Sequence, residues 1–314
     1  MILDGHHKKR IIVLHDGRSD TPASIAQAHA LSDFITNELD HQSIDVLVNS
    51  DGDWLAFGSV YEPAKLLQTV DAALLSLAPT STHTISVLRA LDTHAVPYVG
   101  AQTLATAIAT NRVLTKDHLR DYQVRLAPHM QLNKDNISNV HQAAASVTAM
   151  FGGPYVIRPV QAVSDARFEA PHTEAVSAAL NALFQDYDGV LVEKYITGTP
   201  ASCVVVDGLR AEKRYTLPVT EEVAKNEYRA PGRFSDTVKK DIKSVALLVH
   251  EVLGLRHHSE SYFVVSGEHA YFTRVNPNPV WSPHSSAGVA AEAVGLHETE
   301  YNRHLISHLQ LDHV

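Results

Sequence analysis

Val96-Pro-Tyr-Val-Gly100-Ala-Gln-Thr-Leu-Ala-Thr-Ala-Ile-Ala-Thr-Asn-Arg-Val-Leu-Thr-Lys116 is the stretch from which the fold is read. Its first four residues are strand-like and close the unit before them. From Thr103 through about Leu119, including Ala105-Thr-Ala-Ile-Ala109, the apolar spacing predicts a helix. Upstream, short strands alternate with helices. Ile11-Ile-Val-Leu14 ends at a turn, Ser24–Leu39 is apolar at helical spacing, and Ile44–Val48 is a second strand. Ala72–Leu77 is a third, and Thr84–His94 a further helix. That alternation predicts a parallel sheet covered on both faces. Downstream of Pro128 the character changes to strands at Met130–Leu132, Tyr155–Ile157 and Val190–Glu193, with helices at His141–Met150 and Thr173–Phe184. After Ala201, Cys203–Val206 is a strand and Thr237–Leu253 a helix. Ser261–Val265 is expected to pair with Ala270–Arg274 across Ser266-Gly267, and a last helix covers Glu298–Leu309.

Composition bounds the function classes. The chain has 314 residues, 45% of them hydrophobic and 19% charged, so it buries a sizeable core in two or three compact units. A net charge of -9 with no long basic run disfavours nucleic acid as a partner. No apolar run approaches the ~20 residues of a spanning helix, and no signal-peptide pattern precedes Arg10, so a cytoplasmic protein without membrane insertion is expected. Cys203 is the only cysteine, which fits a reducing compartment, and a buried packing role is expected of it. Twenty histidines raise the question of metal. His304 and His308 stand at i,i+4, His257-His258 and His6-His7 are adjacent, and none has a third ligand at zinc spacing. A structural or solvated role is expected for each pair.

The opening stretch resembles the corresponding block of the D-alanine–D-alanine ligases, members of the ATP-grasp superfamily. Further blocks fall in the same order: Asp16-Gly-Arg-Ser19, Pro154-Tyr-Val-Ile-Arg-Pro159, Val190-Leu-Val-Glu-Lys-Tyr-Ile-Thr-Gly198, and Tyr271-Phe-Thr-Arg-Val-Asn-Pro-Asn-Pro-Val-Trp-Ser-Pro-His-Ser285. The resemblance covers nearly the whole chain. It implies an α/β and α+β ATP-grasp fold with an N-terminal unit (1–102), a central subdomain (103–189) and a C-terminal subdomain (190–314). ATP would lie between the last two, and a homodimer is implied as the assembly. The implied chemistry passes the γ-phosphate to a carboxylate and lets an amine attack the acyl phosphate. That requires cations on the phosphates and oxygen ligands on magnesium.

By the same resemblance, Arg112 and Arg158 stand where the family has phosphate-binding lysines, and Lys225 corresponds to a mobile-loop lysine. Glu193, Lys194, Tyr195 and Ile196 match the hinge strand that contacts adenine. The ribose glutamate becomes Pro200. Of the magnesium ligands only Asn276 is kept: the glutamate position is Arg274 and the aspartate position Tyr262. A family arginine used against substrate falls on Glu260. In the substrate region a glycine becomes Val280, and a Ser-His-Ser-Leu block reads Pro283-His284-Ser285-Ser286, retaining the second of its serines. Ser19 sits in the first loop, where an amino-binding glutamate falls on Thr21. A His-Gly pair falls on Ala78-Pro79, and a Glu-Asp pair on His83-Thr84. The serine-rich phosphate loop keeps only Ser164, and Trp281 is expected to fill the vacated substrate pocket. Magnesium is therefore not expected at the family site, and ATP is expected weakly if at all. The leading expectation is a pseudoenzyme limited to nucleotide binding or scaffolding. The alternatives are an active carboxylate–amine ligase with altered substrate and metal use, and a partner-binding homodimer.

Overall fold

The β-branched run after Lys9 forms strand β1 (Arg10–His15), buried on both faces as the centre of a sheet must be. The structure is a computed structural model, and it describes residues 8–16, 22–77, 82–161 and 166–309. Helix α1 (Pro22–Asn37) crosses to β2 (Gln42–Val48). Strands β3 (Trp54–Ala56) and β4 (Ser59–Tyr61), short helix α2 (Pro63–Leu67), β5 (Ala72–Ser76) and α3 (Thr84–Thr93) follow. The sheet order is β4-β3-β2-β1-β5. Strand β1 is parallel to β2 and β5, whereas β3 and β4 add an antiparallel hairpin at one edge. The parallel-sheet expectation did not include that hairpin, whose two strands are three residues each and carry too little alternation to register as strands. Val96–Val99 forms one parallel bridge, Ala73↔Tyr98, rather than a strand, since Pro97 lacks the N–H that a ladder requires.

The helix expected over Thr103–Leu119 is two helices, α4 (Thr103–Thr110) and α5 (Arg112–Leu119). Asn111 separates them in an extended conformation, and its Oδ1 accepts hydrogen bonds from the Val113 and Leu114 amides at 3.0 Å each. An asparagine that caps a new helix outcompetes continuation of the old one. Asn111→Ala is expected to cost about 1 kcal/mol of stability, read as a lower denaturant midpoint at unchanged slope. No loss would show that α5 is held by packing alone.

The central region contains β6 (His129–Asn133), α6 (Val140–Met150), β7 (Tyr155–Pro159), β8 (Phe168–Ala170), α7 (Thr173–Leu183) and β9 (Gly189–Lys194). Its antiparallel sheet runs β6-β9-β7-β8, and α6 and α7 bury Ala144, Val147, Val176 and Leu180 against Ile157 and Val192. Strand β9, expected to open the last subdomain, thus pairs within the central sheet.

The last region contains β10 (Thr199–Asp207), β11 (Arg214–Thr216), β12 (Thr220–Ala224), β13 (Glu227–Arg229), α8 (Asp236–Val252), β14 (His258–Ser266), β15 (His269–Asn276), α9 (Ser286–Glu292) and α10 (Glu298–Ser307). The expected pairing of β14 with β15 is present in register, with Val265 opposite Ala270 and Phe263 opposite Phe272. Strand β10 alternates between two cores. Cys203 and Val205 face the layer of α4, α5 and α8 with Ile242, Phe263 and Phe272. Val204 and Val206 face a second layer, in which Trp281, Ala290, Tyr301 and Leu305 meet Ile11, Val13, Leu31 and Leu74 of the first region. The first and last regions therefore share one hydrophobic core, and the central sheet has its own. No helix among the described residues is long and apolar enough to cross a membrane.

Candidate functional site

Strand β9 leads from the central sheet into β10, and the residues around this junction line a small cleft between the central and last sheets. Its walls include Arg158 of β7, Arg167 before β8, Glu193 through Ile196, and Val264, Tyr271 and Thr273 of β14 and β15. The close approach has a cause in sequence: a Cβ on Gly198 would lie 2.1 Å from the Val265 carbonyl oxygen, so only glycine passes there.

At the back of the cleft, Lys116 of α5, 1% exposed, places Nζ 2.9 Å from Glu193 Oε1. Arg158 Nε stands 3.6 Å from Oε2. Burial alone drives the Glu193 carboxyl upward, but Lys116 and Arg158 outweigh it and hold the group below its ordinary range. Burial likewise lowers Arg158, opposed by Glu193 and reinforced by the neighbouring charges of Arg167 and Arg274. Arg112 is tied beside Arg158 by a hydrogen bond from its Nε to the Pro159 carbonyl at 3.2 Å. Arg167 pairs with Glu169 at 2.8 Å and lies 5.9 Å from the Tyr195 ring centroid. Lys116 was not assigned a role from sequence, although it stands four residues after Arg112 and so on the same helix face.

The positions assigned to magnesium by resemblance have been rebuilt as one interlocked set. Tyr262 and Arg274 are directly opposite in the β14–β15 register, and the Arg274 guanidinium carbon lies 3.7 Å from the Tyr262 ring centroid. This is a cation–π contact in place of two carboxylates. The Tyr262 hydroxyl donates to Glu260 Oε2 at 2.7 Å, and burial pushes that phenol well above its ordinary range. Glu260 Oε1 accepts from Ser202 at 2.6 Å and from Ser286. Ser202 in turn hydrogen-bonds Thr220 at 2.7 Å. Glu260 is 3% exposed, so three hydroxyl donors inside the fold satisfy it. Asn276 Oδ1 accepts the Asn278 amide at 3.1 Å, closing a turn. These residues do not fit magnesium: the retained amide oxygen is engaged, and a fixed cation stands where an anionic ligand would be needed. Among the described residues, no group of three or more His, Cys, Asp or Glu is placed to hold a metal.

Other expected site residues are dispersed. Lys225 lies exposed between β12 and β13, outside the cleft lining. His284 is exposed in a turn. Ser285 caps α9, accepting from the Gly288 amide and donating to the Ser282 carbonyl, a structural role that its place in the substrate block did not reveal. Val280 is half-buried, and Trp281 stacks on Tyr301 with centroids 4.1 Å apart inside the shared core. Pro200 is an exposed residue of β10 opposite Val264. Ser19, Thr21, Ala78-Pro79, Ser164 and His6-His7 lie outside the described residues. Cys203 is buried, and burial raises its thiol to about 12, so it is a poor nucleophile.

Four of the remaining histidines form a structural joint around β10, β14 and α10. His258 is fully enclosed between the Tyr301 hydroxyl at 2.6 Å and Asn278 Oδ1 at 2.8 Å. His257 Nδ1 accepts from the Gly100 amide at 2.9 Å, joining the first region to the last. His250 bridges Ser259 and Asp207, and His308 stacks on His257 at 4.6 Å. The structural role expected for His257, His258 and His308 is the one they have.

The family description "D-ala D-ala ligase C-terminus" matches residues 119–307. A D-alanine–D-alanine ligase from Pediococcus pentosaceus is 25% identical over 285 residues, covering 85% of this chain and 76% of the relative. One from Leptospira interrogans is 24% identical over 233 residues, and the match spans 69% of this chain and 66% of that relative's length. Among solved structures, the D-alanine–D-alanine ligase from Bacillus anthracis complexed with ATP superposes with a TM-score of 0.77 at 19% identity, covering 96% of this chain and 97% of that one. The VanG D-Ala:D-Ser ligase from Enterococcus faecalis gives 0.81 at 17% identity, covering 96% and 100%. These likenesses fix the fold as ATP-grasp. With the match over residues 119–307, they establish that the chain belongs to the D-alanine–D-alanine ligase family.

Proposed function

We propose that this family member no longer performs magnesium-dependent carboxylate–amine ligation and keeps the cleft between its central and last sheets as a binding site. A division into an N-terminal unit (1–102), a central subdomain (from 103) and a C-terminal subdomain (to 314) is part of the same proposal, with the boundary between the last two after β9 rather than at 189/190, since β9 pairs in the central sheet. The observation that carries it is the Arg274–Tyr262 stack at 3.7 Å, locked onto Glu260 through the tyrosine hydroxyl. Phosphoryl transfer in this chemistry relies on a divalent ion to neutralise charge on the transferring group, worth several kcal/mol. A guanidinium held on an aromatic ring supplies charge but no coordination sites. Glu260, buried inside the fold, already accepts from three internal hydroxyls, two on Oε1 and one on Oε2, and is committed to the fold rather than to a substrate. What remains is positive: Arg112, Arg158 and Lys116 around one carboxylate, Glu193. Any nucleotide held there would be held weakly, since Pro200 gives the ribose neither a donor nor a carboxylate.

Phosphate release from ATP with D-alanine and magnesium is expected to stay at background for the full chain. Clear turnover would overturn the proposal in favour of the second reading, an active ligase of altered substrate and metal use, which the intact Lys116–Glu193–Arg158 set favours. The double variant Arg274→Glu/Tyr262→Asp separates the causes. Activity gained would place the loss in the metal site alone, and continued silence would extend it to the substrate side.

A further inference from the structure

Three features of the cleft point to one kind of ligand. The first is size: the space at the hinge is about 60 Å³, against the ~300 Å³ at which small-molecule pockets begin. Arg167, Tyr195, Val264 and Tyr271 form its walls. The second is the lack of a sugar anchor: Pro200, at the ribose position by resemblance, is exposed on β10 opposite Val264 and offers neither a donor nor a carboxylate. The third is uncompensated positive charge. Glu193 is shared between Lys116 and Arg158, and Arg167 has its own partner in Glu169. Arg274 makes no ion pair among the described residues. Arg158 Nε is buried without a hydrogen-bond acceptor, its nearest carboxylate oxygen 3.6 Å away. Arg158 lines the cleft from the central sheet, and Arg274, next to the lining Thr273 on β15, is near enough for its charge to bear on Arg158. Planar guanidinium forks match phosphate oxygens in pairs.

We infer that the cleft takes a base-free polyphosphate anion of the pyrophosphate class, directly on Arg158 and Arg274 and without a divalent metal. This rests on the reading above that the magnesium site has been lost. Arg274, held flat on Tyr262, stands in for the metal as a fixed counter-charge. Magnesium then acts as a competitor: it coordinates the same phosphate oxygens, cancels part of the ligand's charge and brings a cation up to Arg274. The nucleoside contributes little because nothing in the cleft is built to receive it.

Calorimetric titration of the full chain tests this with pyrophosphate, tripolyphosphate, ATP and AMP, in chelator and in excess magnesium. Pyrophosphate and tripolyphosphate are expected to bind in chelator, with ATP within about 3-fold of tripolyphosphate and AMP at least about 10-fold weaker. A 10-fold ratio corresponds to 1.4 kcal/mol. Excess magnesium is expected to weaken each polyanion several-fold. Arg274→Ala should lose at least about 10-fold in affinity, the scale of one charge-assisted hydrogen bond, while Arg274→Lys loses less. Both variants are to be compared at matched melting temperature, which separates lost contact from lost fold. Binding that requires magnesium, a marked preference for ATP or AMP over tripolyphosphate, no binding at all, or an Arg274→Ala variant of unchanged affinity would each overturn the inference. Ligase turnover in the phosphate-release assay would instead strike the proposed loss of ligation, whatever the titrations give.

Discussion

Glu193→Ala is expected to destabilise the protein by about 3–5 kcal/mol, the usual cost of leaving a buried charge without its partner. Lys116 is 1% exposed and has Glu193 as its counter-ion at 2.9 Å. Arg158 leans on the same carboxylate. Removing it strands Lys116 in the interior and leaves the mostly buried Arg158 without its counter-charge. Chemical denaturation of the wild type and Glu193→Ala measures the difference. Lys116→Met/Glu193→Gln is expected to be more stable than Glu193→Gln alone, because the stranded ammonium is gone. A loss below about 1 kcal/mol for Glu193→Ala would place this pair with exposed ion pairs, which contribute little. It would also remove the case that the hinge is held by electrostatics rather than by packing.

The second large effect is acid lability. Burial holds His258 down to about 4, reinforced by His250 and His308 and opposed by the hydrogen bond to Asn278 and by Asp207. His257, partly open to solvent, is held down to about 3 by burial, His308, Arg256 and His258, with Asp207 opposing. In the unfolded chain each titrates near 6.5. The folded state therefore excludes protons that the unfolded state binds. The contribution is full above pH about 6.5 and is lost as pH falls from there through about 4. For His258 alone, keeping a proton off over that range corresponds to about 3 kcal/mol. Stability measured from pH 7.5 to 4.5 should fall steeply below 6.5. His258→Gln is expected to be less stable at pH 7.5 but to have a shallower acid limb. An equal slope in that variant would exclude His258 as the source.

The elements were legible in the sequence wherever period and length agreed, as in α8 and the β14–β15 hairpin. They were not where a single side chain decided the outcome. Asn111 breaks one helix into two by competing for two amides, which no hydrophobic period records. At the site, the block matches placed Arg112, Arg158 and Glu193 together at one junction. Substitution alone marked Arg274 and Tyr262 as losses, whereas they are cross-strand partners. A register offset across a β-bulge between Tyr262 and Phe263 sets that pairing, and it is invisible before the strands are aligned. Ser202 and Ser286, which satisfy Glu260, come from β10 and α9: the first lies in no motif, and the second ends the Pro283–Ser286 block without a role that its place there revealed. The histidines misled as a count and made sense as hydrogen-bonding groups at a joint.

The core shared by the first and last regions has a consequence for how this polypeptide can be divided. Residues 119–307 are the portion that the family description recognises, yet Val204, Val206, Trp281 and Tyr301 within it pack on Ile11, Val13 and Leu74 outside it. A fragment cut to the recognised boundaries would present that apolar face to water, and contiguous exposed faces of this kind drive aggregation. The stretch that carries the family likeness is thus smaller than the stretch that folds. Fusions, truncations and exchanges with relatives should therefore keep the first hundred residues together with the last.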